Sequence, residues 1–148
     1  MNDDIYFVCS FIEYARRRLK VPCRDVVNRL GVDVIQHIYE LADVYHCMDF
    51  GRVFAEINER VGLSSLSNID NCERLWGEDL PPDTWIGRTY ARIVMRTMGD
   101  KPEGQAIFDV FNSFISDEIS NFDTAVFYSP VEWLVDCYYE NKLVSLYD

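Results

Sequence analysis

The chain has 148 residues, of which 49% are hydrophobic and 26% charged, with 7 glycines and 5 prolines. That length predicts one domain able to bury about 70% of its unfolded surface, and the composition excludes disordered, collagen-like and low-complexity classes. Its 14 basic and 25 acidic residues give a net charge of −11, which excludes the basic footprint that general binding to nucleic acid or an anionic membrane requires.

The N-terminus reads Met1-Asn2-Asp3-Asp4 and then turns apolar. It has neither the positive start nor the small-residue cleavage site of a secretory signal, and no apolar run is long enough to cross a bilayer. The first predicted helix spans about 3–20, capped by Asp3 or Asp4, with Val8, Phe11, Ile12, Ala15 and Leu19 on one face. Arg16, Arg17, Arg18 and Lys20 fill its last turns, where cations suit the helix dipole, and Pro22 closes it. A short helix over about 23–30 turns Val26, Val27 and Leu30 inward and stops at Gly31. A third, about 33–48, turns Val34, Ile35, Ile38, Leu41, Ala42 and Tyr45 inward. A fourth, about 50–61, ends at Gly62.

Residues 63–83 carry turn chemistry, with room for a short helix near Cys72–Trp76. They divide the chain by charge: residues 1–74 hold 12 acidic and 9 basic residues, net −3, and residues 75–148 hold 13 and 5, net −8. The fifth helix spans about 84–98 with Thr84 as N-cap. The sixth spans about 103–122 and has the strongest apolar stripe, from Ile107 to Phe122. Ala125–Tyr128 reads as a brief extended piece. Ser129-Pro130-Val131-Glu132 is a capping box with proline at the first helical position, starting a last helix that runs to about Asn141. No internal repeat is visible. The five cysteines, at 9, 23, 47, 72 and 137, are odd in number and form no Cys-x-x-Cys, so free thiols and a cytoplasmic setting are expected.

Two charged rows are the most informative feature. Arg88, Arg92 and Arg96 stand at i, i+4 and i+8 on the fifth helix; Glu132, Asp136 and Glu140 repeat that spacing on the last. Like charges four apart destabilise an isolated helix by about 0.2–0.5 kcal/mol per pair. The rows are therefore solvated faces, partners of each other across the bundle, or a surface for another molecule. Tyr139 beside the acidic row adds an exposed aromatic of the kind found at protein interfaces.

Other constellations carry less. Residues 25–32 followed by a helix have the outline of a helix-turn-helix, but the would-be recognition helix carries Asp33, Glu40 and Asp43 and would repel phosphates. His37 and His46, with Glu40, Asp43 and Cys47 nearby, fall short of a zinc ligand set. There is no nucleophilic triad motif and no phosphate-cradling glycine loop.

The segments Phe7–Ala15, Asp25-Val26-Val27, Leu30–Asp33, Ile38–Leu41 and Tyr45-His46 resemble a bacterial family of short helical domains of unknown function. Its members are often encoded beside an ADP-ribosyltransferase-like toxin. Trp85–Tyr90, Phe111–Ser116 and Tyr128–Leu134 resemble a second recurrent bacterial segment. The resemblance implies an interaction or antitoxin-like role and carries over no catalytic residue.

The expectation is therefore an all-α single domain: a compact bundle of six to seven helices, with halves at about 1–62 and 84–148 around an irregular segment near 63–83. It is read as an acidic protein-interaction module, antitoxin- or immunity-like, without cofactor or metal. It would bind a protein partner, and neither nucleic acid nor membrane directly, through Glu132, Asp136, Tyr139, Glu140, Arg88, Arg92 and Arg96. A two-fold homodimer is compatible with the acid and arginine rows. The alternative is an acidic nucleic-acid mimic that blocks a nucleic-acid-binding protein. An enzyme or small-ligand binder would instead need a deep pocket near Arg88, His37 or His46.

Overall fold

The computed structural model of the chain describes residues 2–66 and 80–145. Helix α1 is Asp3–Leu19. Its N-cap is Asn2, whose side chain accepts from the Asp4 and Ile5 amides at 3.0 and 3.1 Å. Asp3 and Asp4 do not cap; they occupy the first turn, where their charge favours the helix N-terminus. Helix α2 is Cys23–Glu40, opened by Pro22 and bent at Gly31, whose φ of 76° suits glycine. The glycine interrupts the helix as expected, but the chain resumes helix beyond it. The second limb ends at Glu40 rather than about 48, and a single turn, α3 (Ala42–Tyr45), follows. Helix α4 is Phe50–Val61, with the Asp49 carboxylate accepting from the Arg52 amide at 2.8 Å and Gly62 ending it at φ 71°. Leu63–Leu66 form a 3-10 turn. The short helix expected near 72–76 lies outside the described residues.

Helix α5 is Asp83–Thr97, with Pro82, not Thr84, at the N-cap. The proline's fixed backbone (φ −54°, ψ 146°) sets the entry without a side-chain bond. The single helix expected over 103–122 is two, α6 (Glu103–Phe111) and α7 (Phe114–Ile119). Between them Ser113 is extended, its hydroxyl donates to the Val110 carbonyl at 2.6 Å, and the Asn112 amide donates to the Phe108 carbonyl at 3.2 Å. The Val110 carbonyl, which a continuous helix would give to the Phe114 amide, instead accepts from the Ser113 hydroxyl and the Ser113 backbone amide. Val126–Tyr128 is a 3-10 turn, not an extended piece. Helix α8 is Val131–Glu140 with Pro130 at its N-cap. Ser129 does not cap it; that hydroxyl donates to the Ala125 carbonyl at 3.3 Å. Among the described residues there are eight α-helices and no strand, so the fold is all-α.

Helix α1 is the centre: Val8, Cys9, Phe11, Ile12 and Ala15 are fully buried. It packs most extensively on α5, and α2 does so on α6. Both crossings depend on a missing side chain. A Cβ on Gly87 would lie 2.2 Å from Ser10 Oγ and 2.7 Å from the Ser10 backbone; one on Gly104 would lie 2.8 Å from the Val32 carbonyl oxygen. The two halves also repeat one architecture, which the sequence does not display. Each runs through a long helix, a helix opened by proline (Pro22, Pro102), a break, a further helical limb (to Glu40, and α7), a short helical turn (α3, and Val126–Tyr128) and a final helix. Val26, Val27 and Leu30 are buried after Pro22, and Ala106, Ile107 and Val110 after Pro102, at the same spacing. The most extensive contacts between halves join equivalent helices, α1 with α5 and α2 with α6.

A polar cluster sits inside this core. Glu13 and Arg16 of α1 are both 0% exposed. The Glu13 carboxylate accepts from Arg16 Nε at 2.7 Å, from Arg16 Nη2, and from Arg17 Nε at 3.1 Å. The Cys23 thiol points at Glu13 Oε2 from 3.7 Å. Burial alone would lower the Arg16 guanidinium; the Glu13 carboxylate outweighs it and holds the group above its ordinary value. Burial, reinforced by Glu13, pushes the Cys23 thiol up to about 12, and burial also raises Cys9 and Tyr90. These thiols stay protonated and are poor nucleophiles. The Tyr90 hydroxyl meets Ser116 Oγ at 2.8 Å, tying α5 to α7.

Candidate functional site

The two charged rows lie on neighbouring helices that touch. All three arginines of α5 and all three acids of α8 are exposed. They meet at one point, where Arg96 Nη1 donates to Glu132 Oε1 at 3.0 Å. Glu132 stands in the first turn of α8; a hydrogen bond from its own backbone amide, then Arg96, hold its carboxyl below the usual value. The contact therefore persists as pH falls until Glu132 titrates, below the ordinary glutamate range. Both groups face water, so the pair fixes register more than it stabilises. Arg88 lies over the Tyr6 ring, 5.6 Å from its centroid. Among the described residues no ion pair joins Arg92, Asp136 or Glu140 to another side chain. The rows are thus neither fully solvated nor mutually neutralised: one pair of the six residues closes, and the rest face outward.

The order along this face follows from the neighbours. The start of α8 lies by the last turn of α5 at Arg96–Glu132. The end of α8 lies by the α5–α6 turn. There Lys101 donates to Asp109 at 2.9 Å and is raised by that bond, and the Tyr138 and Tyr139 phenols add to the effect. The face therefore runs from Arg88 and Arg92, through a neutral middle, to Asp136 and Glu140. Trp85, 59% exposed, stands three residues before Arg88 on the basic end. Tyr139, 63% exposed, stands on the acidic end. Trp85 was not placed on this face from the sequence; its i, i+3 spacing to Arg88 is the signal that does so. A groove of about 460 Å³ between the helices is lined by Arg92, Met95, Arg96 and Val131. A second, of about 350 Å³, includes Asp136, Tyr139, Glu140 and Lys142. The chain after α8 folds back beneath it, where Trp133 Nε1 donates to the Val144 carbonyl at 2.9 Å.

The other candidates are placed elsewhere. His46 packs on Phe7, ring centroids 4.4 Å apart, at an open cleft of about 320 Å³ with Tyr6, Ser10, Met48, Asp49, Phe50 and Thr84. Neither His37 nor Arg88 reaches it. Among the described residues no three His, Cys, Asp or Glu side chains gather as metal ligands. The second limb of α2 buries Ile35 and Ile38 and packs against α6, where Gln36 Oε1 accepts from the Gly104 amide at 2.6 Å. Asp33 and Glu40 are the residues it leaves exposed. Among the described residues no helix is long and apolar enough to cross a membrane. Cys9, Cys23, Cys47 and Cys137 are free. No protein-family model, curated protein or solved structure matches this chain.

Proposed function

We propose that the protein is an interaction module whose acidic α8 face docks on a basic surface of a partner protein. The observation that supports it is the outward row of Asp136 and Glu140 with Tyr139, in which neither acid forms an ion pair with another described residue. Like charges at four-residue spacing are unfavourable alone and become favourable against a cationic surface. The exposed phenol supplies the aromatic anchor common at interface centres. With a toxin as partner, the face would block a cationic nucleotide or substrate site, which is an antitoxin- or immunity-like role.

Affinity capture with three forms of the chain tests this. The wild type should retain a stoichiometric protein after nuclease treatment. Glu132→Lys/Asp136→Lys/Glu140→Lys should lose it, because like-charge juxtaposition costs several kcal/mol. Asp33→Lys/Glu40→Lys/Asp43→Lys, which changes net charge equally on another face, should keep it. Equal loss from both triple variants, or from neither, overturns the reading. Competition by duplex DNA for the captured protein would favour the nucleic-acid mimic instead.

A further inference from the structure

We infer that the α5–α8 face is self-complementary and pairs with a second copy of this chain about a two-fold axis near Arg96–Glu132. The inference uses the α8 row but does not rest on the basic partner proposed above.

Three observations carry it. The two rows are polarised, with Arg88 and Arg92 at one end, the Arg96–Glu132 pair in the middle, and Asp136 and Glu140 at the other end, where Lys142 shares their groove and Lys101 is taken up by Asp109. A two-fold axis through the neutral middle lays each basic end on the partner's acidic end, twice in one interface, as an isologous contact requires. The spacings also match. Both rows are i, i+4, i+8, so the successive charges are separated by about 6 Å along each helix. The ends, moreover, carry exposed rings, Trp85 with the arginines and Tyr139 with the acids. The same operation brings each ring to the opposite end of the other copy, giving the apolar contact that charge pairing alone lacks.

The net charge of −11 opposes association at long range. At physiological ionic strength the screening length is about 8 Å, so that repulsion is damped while contacts inside the interface are not. Self-pairing and capture of a basic partner would use the same acids, so they exclude each other; the dimer holds the face in reserve.

Sedimentation equilibrium of the full chain over a concentration series tests this. The wild type should show a monomer–dimer equilibrium that weakens at high salt. Arg88→Glu/Arg92→Glu should weaken dimerisation by roughly a hundredfold or more, and so should Asp136→Lys/Glu140→Lys, because each variant alone faces like with like. An equimolar mixture of the two should dimerise again, since both contacts of the mixed pair become opposite in sign. Circular dichroism should show all forms folded, as every changed residue is exposed. A wild type that stays monomeric, dimerisation unaffected by either swap, or no restoration on mixing overturns the inference. A monomeric wild type whose acidic row still captures a partner would overturn only the self-pairing.

Discussion

Replacing Glu13 with alanine is expected to lower stability by about 3–5 kcal/mol, the usual effect of breaking one side of a buried ion pair. Folded domains are stable by only about 5–15 kcal/mol in total, so the loss is a large fraction of the whole. At this chain length it should appear as a fall in Tm of roughly 6–20 °C. The cause is specific. Glu13 neutralises Arg16 through two nitrogens, holds Arg17 and meets the Cys23 thiol, all against residues of the innermost core. The variant keeps a guanidinium that is 0% exposed without the carboxylate beside it. Glu13→Leu/Arg16→Met, which removes both charges at similar volume, should recover most of the loss, because apolar replacement of an entire buried pair is often neutral. Urea unfolding of Glu13→Leu, Arg16→Met and the double variant checks this. Additive losses would show that the pair does not act as a unit.

Gly87→Ala should be the second large effect, about 2–3 kcal/mol of destabilisation despite the gain of roughly 1 kcal/mol that alanine normally brings to a helix interior. The new methyl would meet the Ser10 backbone nitrogen and Cα at 2.7 Å, and backbone cannot rotate away. Helices α1 and α5 must separate, and that crossing is the most extensive in the fold. Adding Ser10→Gly should restore only part of the loss, since it removes the 2.2 Å contact with Oγ but leaves both backbone contacts. Thermal unfolding of Gly87→Ala with and without Ser10→Gly separates these contributions. Full recovery would place the clash in the hydroxyl alone.

Where apolar spacing and helix-ending residues act together, the sequence predicted the element closely. Helix α4 falls at Phe50–Val61 with Gly62 after it, and Gly31 interrupts α2, as read. Caps were less legible, because proline opens α2, α5, α6 and α8 through its backbone with no side-chain bond. The break between α6 and α7 was hidden for another reason. Phe111, Ile115 and Ile119 keep a helical spacing across it, so the core pattern continues while the backbone does not. Arg16 was read by type, as one of a run of dipole-stabilising cations. Its position gives a different answer: with Ile5, Cys9, Ile12 and Leu19 it lies on the buried row of α1, and Glu13 three residues earlier supplies its counter-charge. The repeat between the halves is invisible to residue matching because it is kept in burial and helix order, not in residue identity.

The charged rows themselves were legible, since spacing alone places each on one helix face. Which members pair was not, because that depends on how α8 lies against α5. Only the end of one row and the start of the other come within reach, at Arg96 and Glu132.

The central claim, that the α5–α8 face is where this protein meets another chain, is tested most directly by placing a photo-cross-linking residue at one position at a time. Tyr139, at 63% exposure, lies on the face; Val44, at 58%, lies on α3 and is almost as accessible. Cross-linking in cells should give a discrete heavier adduct from position 139 and none from position 44. An adduct of the chain with itself would support the two-fold pairing, and one with another protein the proposed docking. An adduct from position 44 alone, or equal yields from both positions, would contradict the account.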